Sequence, residues 1–418
     1  MNRRKFMLGA GCVSFAAFLQ ACRLTNFVRD ELAGVSTSLP AHTSTPLPTY
    51  TSTATPTNLI LPNTPTSPAA TATDIPPAEA PTPTTTPQPE VAATPTPTPY
   101  PPGPPSKLGF FLTNHDPRVL DMIAQGKPAL VKTLEFDPNF VKAIKTASPT
   151  TIVVARLFLG QQNLDVDPAP LVQEFATSLL PIASDANRLQ YIDAWEAFNE
   201  PVADTPDKMK RLADFEAERT RILAENGIRS VVGNFAAGHP PLELWPHFQP
   251  ALEAIRQYNG YLGLHEYSAP VMQFRSGGLQ LPGEPDQGDE GWLTLRYRKA
   301  YRQQLGPMGF GDIPTLITEC GVDGLIKPRP GPDDSEGWLD FIGMWRDNGL
   351  RDDPPGVYMD QLIWYDQNLQ QDAYIKGAAI FLVGTNDEKW RSYDILNPKG
   401  GRMGELLTQY LQAHPPQS

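Results

Sequence analysis

The sequence predicts an α/β protein, a (β/α)8 TIM barrel preceded by a disordered Pro/Thr-rich linker. Three observations point there. From 106 to 415 the chain alternates apolar, strand-like runs with amphipathic helical stretches, the pattern of βα units feeding a parallel sheet. Eight such runs fit in roughly 310 residues, the size of one slightly enlarged barrel. The turn after the first run reads Leu112-Thr113-Asn114-His115-Asp116, without the glycines a doubly wound open sheet would place there to hold a phosphate.

In chain order, the opening Asn2-Arg3-Arg4-Lys5-Phe6-Met7 leads into an uncharged run that ends Leu19-Gln20-Ala21-Cys22. That run is about 16 residues, short of the roughly 20 a permanent membrane helix needs. Residues 1–22 resemble a twin-arginine export signal that closes on a bacterial lipobox, with Met7 where such signals more often have Leu. The resemblance implies that Cys22 is the lipidated first residue of the mature protein. It also implies a chain exported and anchored to the outer face of the cytoplasmic membrane, at the cell surface or in the periplasm. Residues 23–105 form the linker: 20 of the 46 prolines lie between Pro40 and Pro105, and from 36 onward Asp74, Glu79 and Glu90 are its only charges. Such a segment has too little apolar surface to build a core, so disorder with polyproline II character is expected.

The eight strand-like runs are 108–112, 129–134, 151–158, 191–199, 229–234, 261–267, 315–319 and 377–383. Between them, Thr205-Pro206 reads as a helix N-cap and first-turn proline, Asn226-Gly227 as that helix's end, and 357–369 as a helix with Tyr358, Leu362, Tyr365 and Leu369 on one stripe. Composition excludes several functions. With 46 acidic against 34 basic residues the net charge is -12, the wrong sign for a nucleic-acid partner. Three cysteines, two of them in the first 22 residues, leave neither a disulfide framework nor a thiolate zinc site. None of the six histidines forms the His-x-His pair of a metal-dependent barrel hydrolase. No metal or cofactor is expected, and the barrel is expected to be monomeric.

In a (β/α)8 barrel the site lies at the C-terminal ends of the strands. Strand four ends Glu196-Ala197-Phe198-Asn199-Glu200-Pro201, strand six His265-Glu266-Tyr267, and strand seven Thr318-Glu319-Cys320-Gly321. Two glutamates at the tips of strands four and seven face each other across a barrel mouth. Retaining glycoside hydrolysis needs such a pair about 5 to 5.5 Å apart, one to protonate the leaving oxygen and one to attack the anomeric carbon.

These three segments resemble the clan of retaining glycoside hydrolases with the acid/base on strand four and the nucleophile on strand seven. Asn199-Glu200-Pro201 matches its Asn-Glu-Pro motif, His265-Glu266-Tyr267 its His-x-Tyr element, and Thr318-Glu319 with Gly321 its nucleophile segment. The resemblance implies Glu200 as acid/base and Glu319 as nucleophile. Asn199 would bind the sugar 2-hydroxyl, Tyr267 would donate to Glu319, and His265 would line the sugar pocket. An oligo- or polysaccharide would be the substrate. The chain departs from the pattern in two places. Lys132 on strand two and Arg156 on strand three stand where many relatives have an arginine at the end of strand two. Phe381-Leu382-Val383-Gly384 lacks the tryptophan that often closes strand eight, which leaves Trp390 in the next loop as the candidate sugar platform. Trp245, Trp292, Trp338 and Trp345 are available for stacking, and the long polar loop 268–291 is expected to shape one cleft wall.

Strand periodicity adds one expectation. Glu196 lies four residues before Glu200, hence on the same side of its strand and deeper in the barrel, where it needs a cation; the planar fork of Arg156 is the expected partner. By the same alternation Cys320 faces the helices. The alternative function is a catalytically inactive carbohydrate-binding barrel on the same lipoprotein, and a transglycosidase would use the same two carboxylates.

Overall fold

The computed structural model describes residues 100–160, 162–350 and 352–416. The export signal, Cys22 and nearly all of the linker lie outside the described residues. Eight strands form a closed, fully parallel barrel: β1 (Leu108–Leu112), β2 (Leu130–Thr133), β3 (Ile152–Arg156), β4 (Ala194–Glu196), β5 (Ser230–Phe235), β6 (Tyr261–Ser268), β7 (Thr315–Val322) and β8 (Ile375–Ile380), with β8 closing on β1. The helices are α1 (Pro117–Gly126), α2 (Pro138–Ala147), α3 (Ala169–Ala183), α4 (Ala186–Tyr191), α5 (Pro206–Glu225), α6 (Gln249–Gln257), α7 (Arg296–Ala300), α8 (Ile342–Asp347), α9 (Pro354–Leu369) and α10 (Met403–Ala413). The protein is a (β/α)8 TIM barrel. Among the described residues no helix is long and apolar enough to cross a membrane.

Local chemistry explains where helices start. Asp116, Asp137 and Thr205 each precede a proline, and each side chain accepts from backbone N–H groups of the first turn: Arg118, then Asn139 and Phe140, then Lys208. The cap satisfies orphan donors while the proline fixes a helical φ where no N–H is needed. At the other end of α5, Asn226 caps the helix and Gly227 takes φ +73°.

Alternation along the strands sorts the core into two layers. Leu108, Phe110 and Leu112 of β1 face the helices, whereas Phe111 joins Leu130, Val154, Ala194, Val231, Leu316 and Ala379 inside the barrel. Cys320 packs on the helix side, fully buried. Two boundaries differ from expectation. Residues 100–105, expected in the linker, run beside α10: the Tyr100 ring meets Tyr410 edge-on at 5.5 Å and Gly103 N donates to Ala413 O at 3.1 Å. The apolar anchor of Tyr100 starts the folded unit earlier than composition indicates.

Strand β4 is the second difference, three residues where nine were expected. Asp185 caps α4, which takes up 186–191, and the ladder stops at Glu196. In a continued ladder, Val231 O and Gly233 N of β5 would pair with the next residues of β4. Instead Arg219 Nη2 donates to Val231 O at 2.8 Å and Glu216 Oε1 accepts from Gly233 N at 3.2 Å, while Arg219 Nε donates to Glu216 Oε2 at 2.8 Å. A buried ion pair from α5 thus replaces strand pairing beneath the loop that carries Glu200.

Candidate active site

Freed from the ladder, the chain after β4 turns sharply into the barrel mouth. Glu200 adopts φ +47°, a left-handed conformation that is costly for any residue but glycine and that persists where the surroundings impose it. Its N–H donates to Asn234 O at 3.1 Å, which fastens the loop to the end of β5. Asn234 is itself left-handed at φ +50° and fully buried. Its side chain fits only because residue 263 on β6 is glycine: a Cβ there would stand 2.0 Å from Asn234 Oδ1.

Five of the residues read from the sequence meet at this mouth. His265 Nδ1 lies 2.8 Å from Glu200 Oε1 and 3.6 Å from Glu319 Oε2. Tyr267 Oη donates to Glu319 Oε2 at 2.7 Å. Asn199 Oδ1 accepts from Arg156 Nη1. Carboxylate oxygens of Glu200 and Glu319 lie within 4.8 Å of each other, with His265 between them. Exposure separates the two acids: the Glu200 side chain is 28% exposed and that of Glu319 only 8%. Burial works to raise the Glu319 pKa, but the charges of His265, Lys132 and Arg156 outweigh it and hold the carboxyl well below its usual range. Burial, and then the charge of Glu319, push the Tyr267 phenol well up, so it stays a donor.

The expected Glu196–Arg156 pair is present, at 3.9 Å, but a second cation lies nearer. Glu196 does point into the barrel and is fully buried, but its nearer cation is Lys132, with Nζ 3.0 Å from Oε2, against 3.9 Å for Arg156 Nη1. Layering explains the choice. Side chains in one layer of such a barrel come from alternate strands, so β2 and β4 share a layer. Arg156 lies opposite Glu196 on the adjacent strand β3 and gives Nη1 to Asn199 Oδ1.

Trp390, expected as an open sugar platform, is 4% exposed. Its ring stands edge-on to Phe381 at 5.2 Å and to Tyr393 at 5.6 Å, and Phe381 in turn meets Tyr267 at 6.1 Å. It therefore braces the aromatic wall from behind. Trp245, Trp338 and Trp345 are likewise buried in packing, against Phe248, Tyr358 and Pro270 O, while Trp292 lies under Lys299.

Two groups at this end of the barrel escaped the sequence reading. Asp323, four residues beyond Glu319, accepts from Tyr393 Oη and Leu325 N on Oδ1, both at 2.9 Å. Burial, with the charge of Glu200 adding, pushes its pKa up to about 6. Glu266 points out of the barrel and accepts from Leu295 N, Tyr297 N and Tyr365 Oη at 2.7 to 2.9 Å, which clasps the end of the long loop after β6 to the start of α7. Burial raises its pKa to about 7 against those donors.

Glu200, His265 and Glu319 offer three possible ligand atoms to a metal. An ion there would face Lys132 Nζ and Arg156 Nη1, at 2.8 and 3.6 Å from Glu319 Oε1, so the cluster does not suit a cation.

No family model matches the chain, and no curated protein does. Solved structures do. A family 39 glycoside hydrolase from the gut symbiont Bacteroides cellulosilyticus WH2 is 14% identical at TM-score 0.45, over 72% of this chain and 64% of that one, so the chain spans a little under two thirds of its length. A β-1,3-glucanase and allergen of Cryptomeria japonica pollen is 13% identical at TM-score 0.44, over 70% and 96%. An endo-1,4-β-D-mannanase from Thermotoga petrophila RKU-1 is 12% identical at TM-score 0.43, over 73% and 99%. These structural neighbours are glycoside hydrolases, and at such identities the likeness is one of fold.

Proposed function

We propose that the chain is a retaining glycoside hydrolase that cleaves an extracellular β-linked saccharide by double displacement. One observation carries the reading: carboxylate oxygens of Glu200 and Glu319 within 4.8 Å of each other at the C-terminal mouth of the barrel. Retaining enzymes hold their carboxyls about 5 to 5.5 Å apart, and inverting enzymes leave about 6.5 to 9.5 Å for a water. Glu319 suits the nucleophile, because the charges of Lys132 and Arg156 help to keep it ionised and Tyr267 orients it. Glu200, more open to solvent, suits the acid/base. In the first step a Glu319 oxygen bonds to the anomeric carbon as the bond from that carbon to the leaving oxygen breaks, and the proton of Glu200 goes to the leaving oxygen. In the second, Glu200 takes a proton from water, the resulting hydroxide bonds to the anomeric carbon, and the ester bond breaks to restore Glu319.

Proton NMR of the first product formed from a panel of aryl β-glycosides and β-glucans tests the reading. Retained anomeric configuration is expected; an inverted product, or no turnover across the panel, would sink it.

The proposed address follows from residues 1–22: export and a lipid on Cys22, with the linker spacing the barrel from the membrane. Cys22→Ser should move the protein from the membrane fraction to the soluble fraction with barrel activity unchanged. Continued membrane association of that variant would show that no lipid on Cys22 is needed for anchoring.

A further inference from the structure

Below the two facing carboxylates a single ammonium is shared between one of them, Glu319, and the deeper Glu196. Lys132 Nζ donates to Glu319 Oε1 at 2.8 Å and lies 3.0 Å from Glu196 Oε2. The side chains of Lys132 and Glu196 are both fully buried, and the Phe111 ring lies 4.8 Å from the ammonium. Glu196 is the odd member. The contact with Lys132 is an ion pair outside hydrogen-bond geometry, and among the described residues no donor reaches either carboxylate oxygen of Glu196 in hydrogen-bond geometry. A buried carboxylate in that condition is expensive, so its presence needs a reason.

The charge count supplies one. Facing the floor are Lys132 from β2, Arg156 from β3, Glu196 from β4 and Glu200 from the loop after it, His265 and Tyr267 from β6, and Glu319 from β7; β1 contributes the ring of Phe111 and the segment after β8 that of Phe381. Glu200 meets His265, so the carboxylates within 4 Å of the two fixed cations are Glu196 and Glu319, and while Glu319 is ionised these two anions balance Lys132 and Arg156. Once Glu319 becomes a glycosyl ester its charge is gone, and Glu196 alone remains to face Lys132 and Arg156. We propose that Lys132 is a positioning residue handed from one carboxylate to the other: it holds Glu319 in the free enzyme and turns its hydrogen bonds to Glu196 when the covalent intermediate forms. Glu196 Oε2, already 3.0 Å from the ammonium, is the acceptor that receives it. The handover rests on the glycosidase reading; the sharing of the ammonium does not.

Thermal melting of the full chain tests the sharing without any substrate. Glu319→Gln carries the neutral nucleophile of the intermediate, so its floor should depend on Glu196. Combining it with Glu196→Gln should lower the melting temperature by at least about 5 °C more than the two single losses together, because both buried cations then lack an anion. Adding Lys132→Met should recover most of that excess. Simple additivity would overturn the proposal. If Glu196→Gln does not fold alone, Lys132→Met/Glu196→Gln is compared with Lys132→Met: the double variant should melt higher, and a lower melting point overturns the sharing. The kinetic arm uses a dinitrophenyl glycoside. Glu196→Gln should slow formation of the glycosyl-enzyme at least about tenfold and leave its hydrolysis within about threefold of wild type. Equal slowing of both steps would mark a structural role and overturn the handover. If the wild type turns over no glycoside, the function proposed above fails with the handover, and the melting result still decides whether the ammonium is shared.

Discussion

Glu319→Gln and Glu200→Gln should each lower turnover of an aryl β-glycoside by at least about a thousandfold, since each removes a chemical step rather than a contact. The two losses should differ in kind. Without the Glu319 carboxylate nothing attacks the anomeric carbon, whatever the leaving group. Azide should rescue Glu319→Gly by entering from the vacated face, giving a glycosyl azide of opposite configuration to the normal product. Without the Glu200 proton, the loss should be severe for a poor leaving group and slight in the first step for dinitrophenolate, which leaves unprotonated. The pH profile should carry the signature of the floor. The nucleophile must be ionised to act, and His265, Lys132 and Arg156 hold Glu319 well below the usual carboxylate range. Activity should therefore persist as pH falls through the range where an ordinary glutamate is half protonated, about 4 to 5, and be lost only lower. Steady-state rates on aryl glycosides of graded leaving-group acidity check all of this; full activity in either glutamine variant would end the assignment.

Which residues gather at this mouth was more legible in the sequence than what supports them. Asn199, Glu200, His265, Tyr267 and Glu319 could be picked out because each ends a strand-like run, and barrel geometry brings such ends together whatever the loops do. Boundaries were harder. The run 191–199 reads as one long strand because periodicity cannot tell a hydrogen-bonded ladder from extended chain satisfied by a helix side chain. Pairing Glu196 with Arg156 alone weighed the shape of the cation and overlooked that alternate strands share a layer, which brings Lys132 nearer than Arg156. Trp390 shows a different limit: an aromatic residue after a strand reads the same whether its face is open or pressed against Phe381, and only packing decides. Glu216 and Arg219 left a trace that could have been followed. On α5, Leu212, Glu216, Arg219 and Leu223 fall at helical spacing on one buried stripe, so this charged pair occupies core positions.

Glu216→Gln should destabilise the barrel by about 3 to 5 kcal/mol, lowering its melting temperature on the order of 10 °C. The pair is almost wholly out of solvent, at 1% exposure for each residue. Arg219 gives Nε to Glu216 Oε2, Nη2 to Val231 O and Nη1 to Trp195 O, the last at 3.4 Å, and its guanidinium lies 5.5 Å from the Phe175 ring. Neutralising Glu216 leaves a buried cation with only carbonyls to face, and it weakens or removes the acceptor for Gly233 N. Deleting one member of a buried pair costs more than the pair contributes, because the survivor keeps its desolvation penalty. Arg219→Lys should cost less but still measurably, since an ammonium cannot span Glu216, Trp195 O and Val231 O as a planar fork does. The damage should run toward the site. Gly233 and Asn234 end β5, and Asn234 O holds the N–H of Glu200. Faster amide exchange at Gly233 and Glu200 in Glu216→Gln, with exchange in β1 and β8 little changed, would trace that route. A variant that melts within about 2 °C of wild type would show instead that the strand edge of β4 and β5 holds without its ion pair.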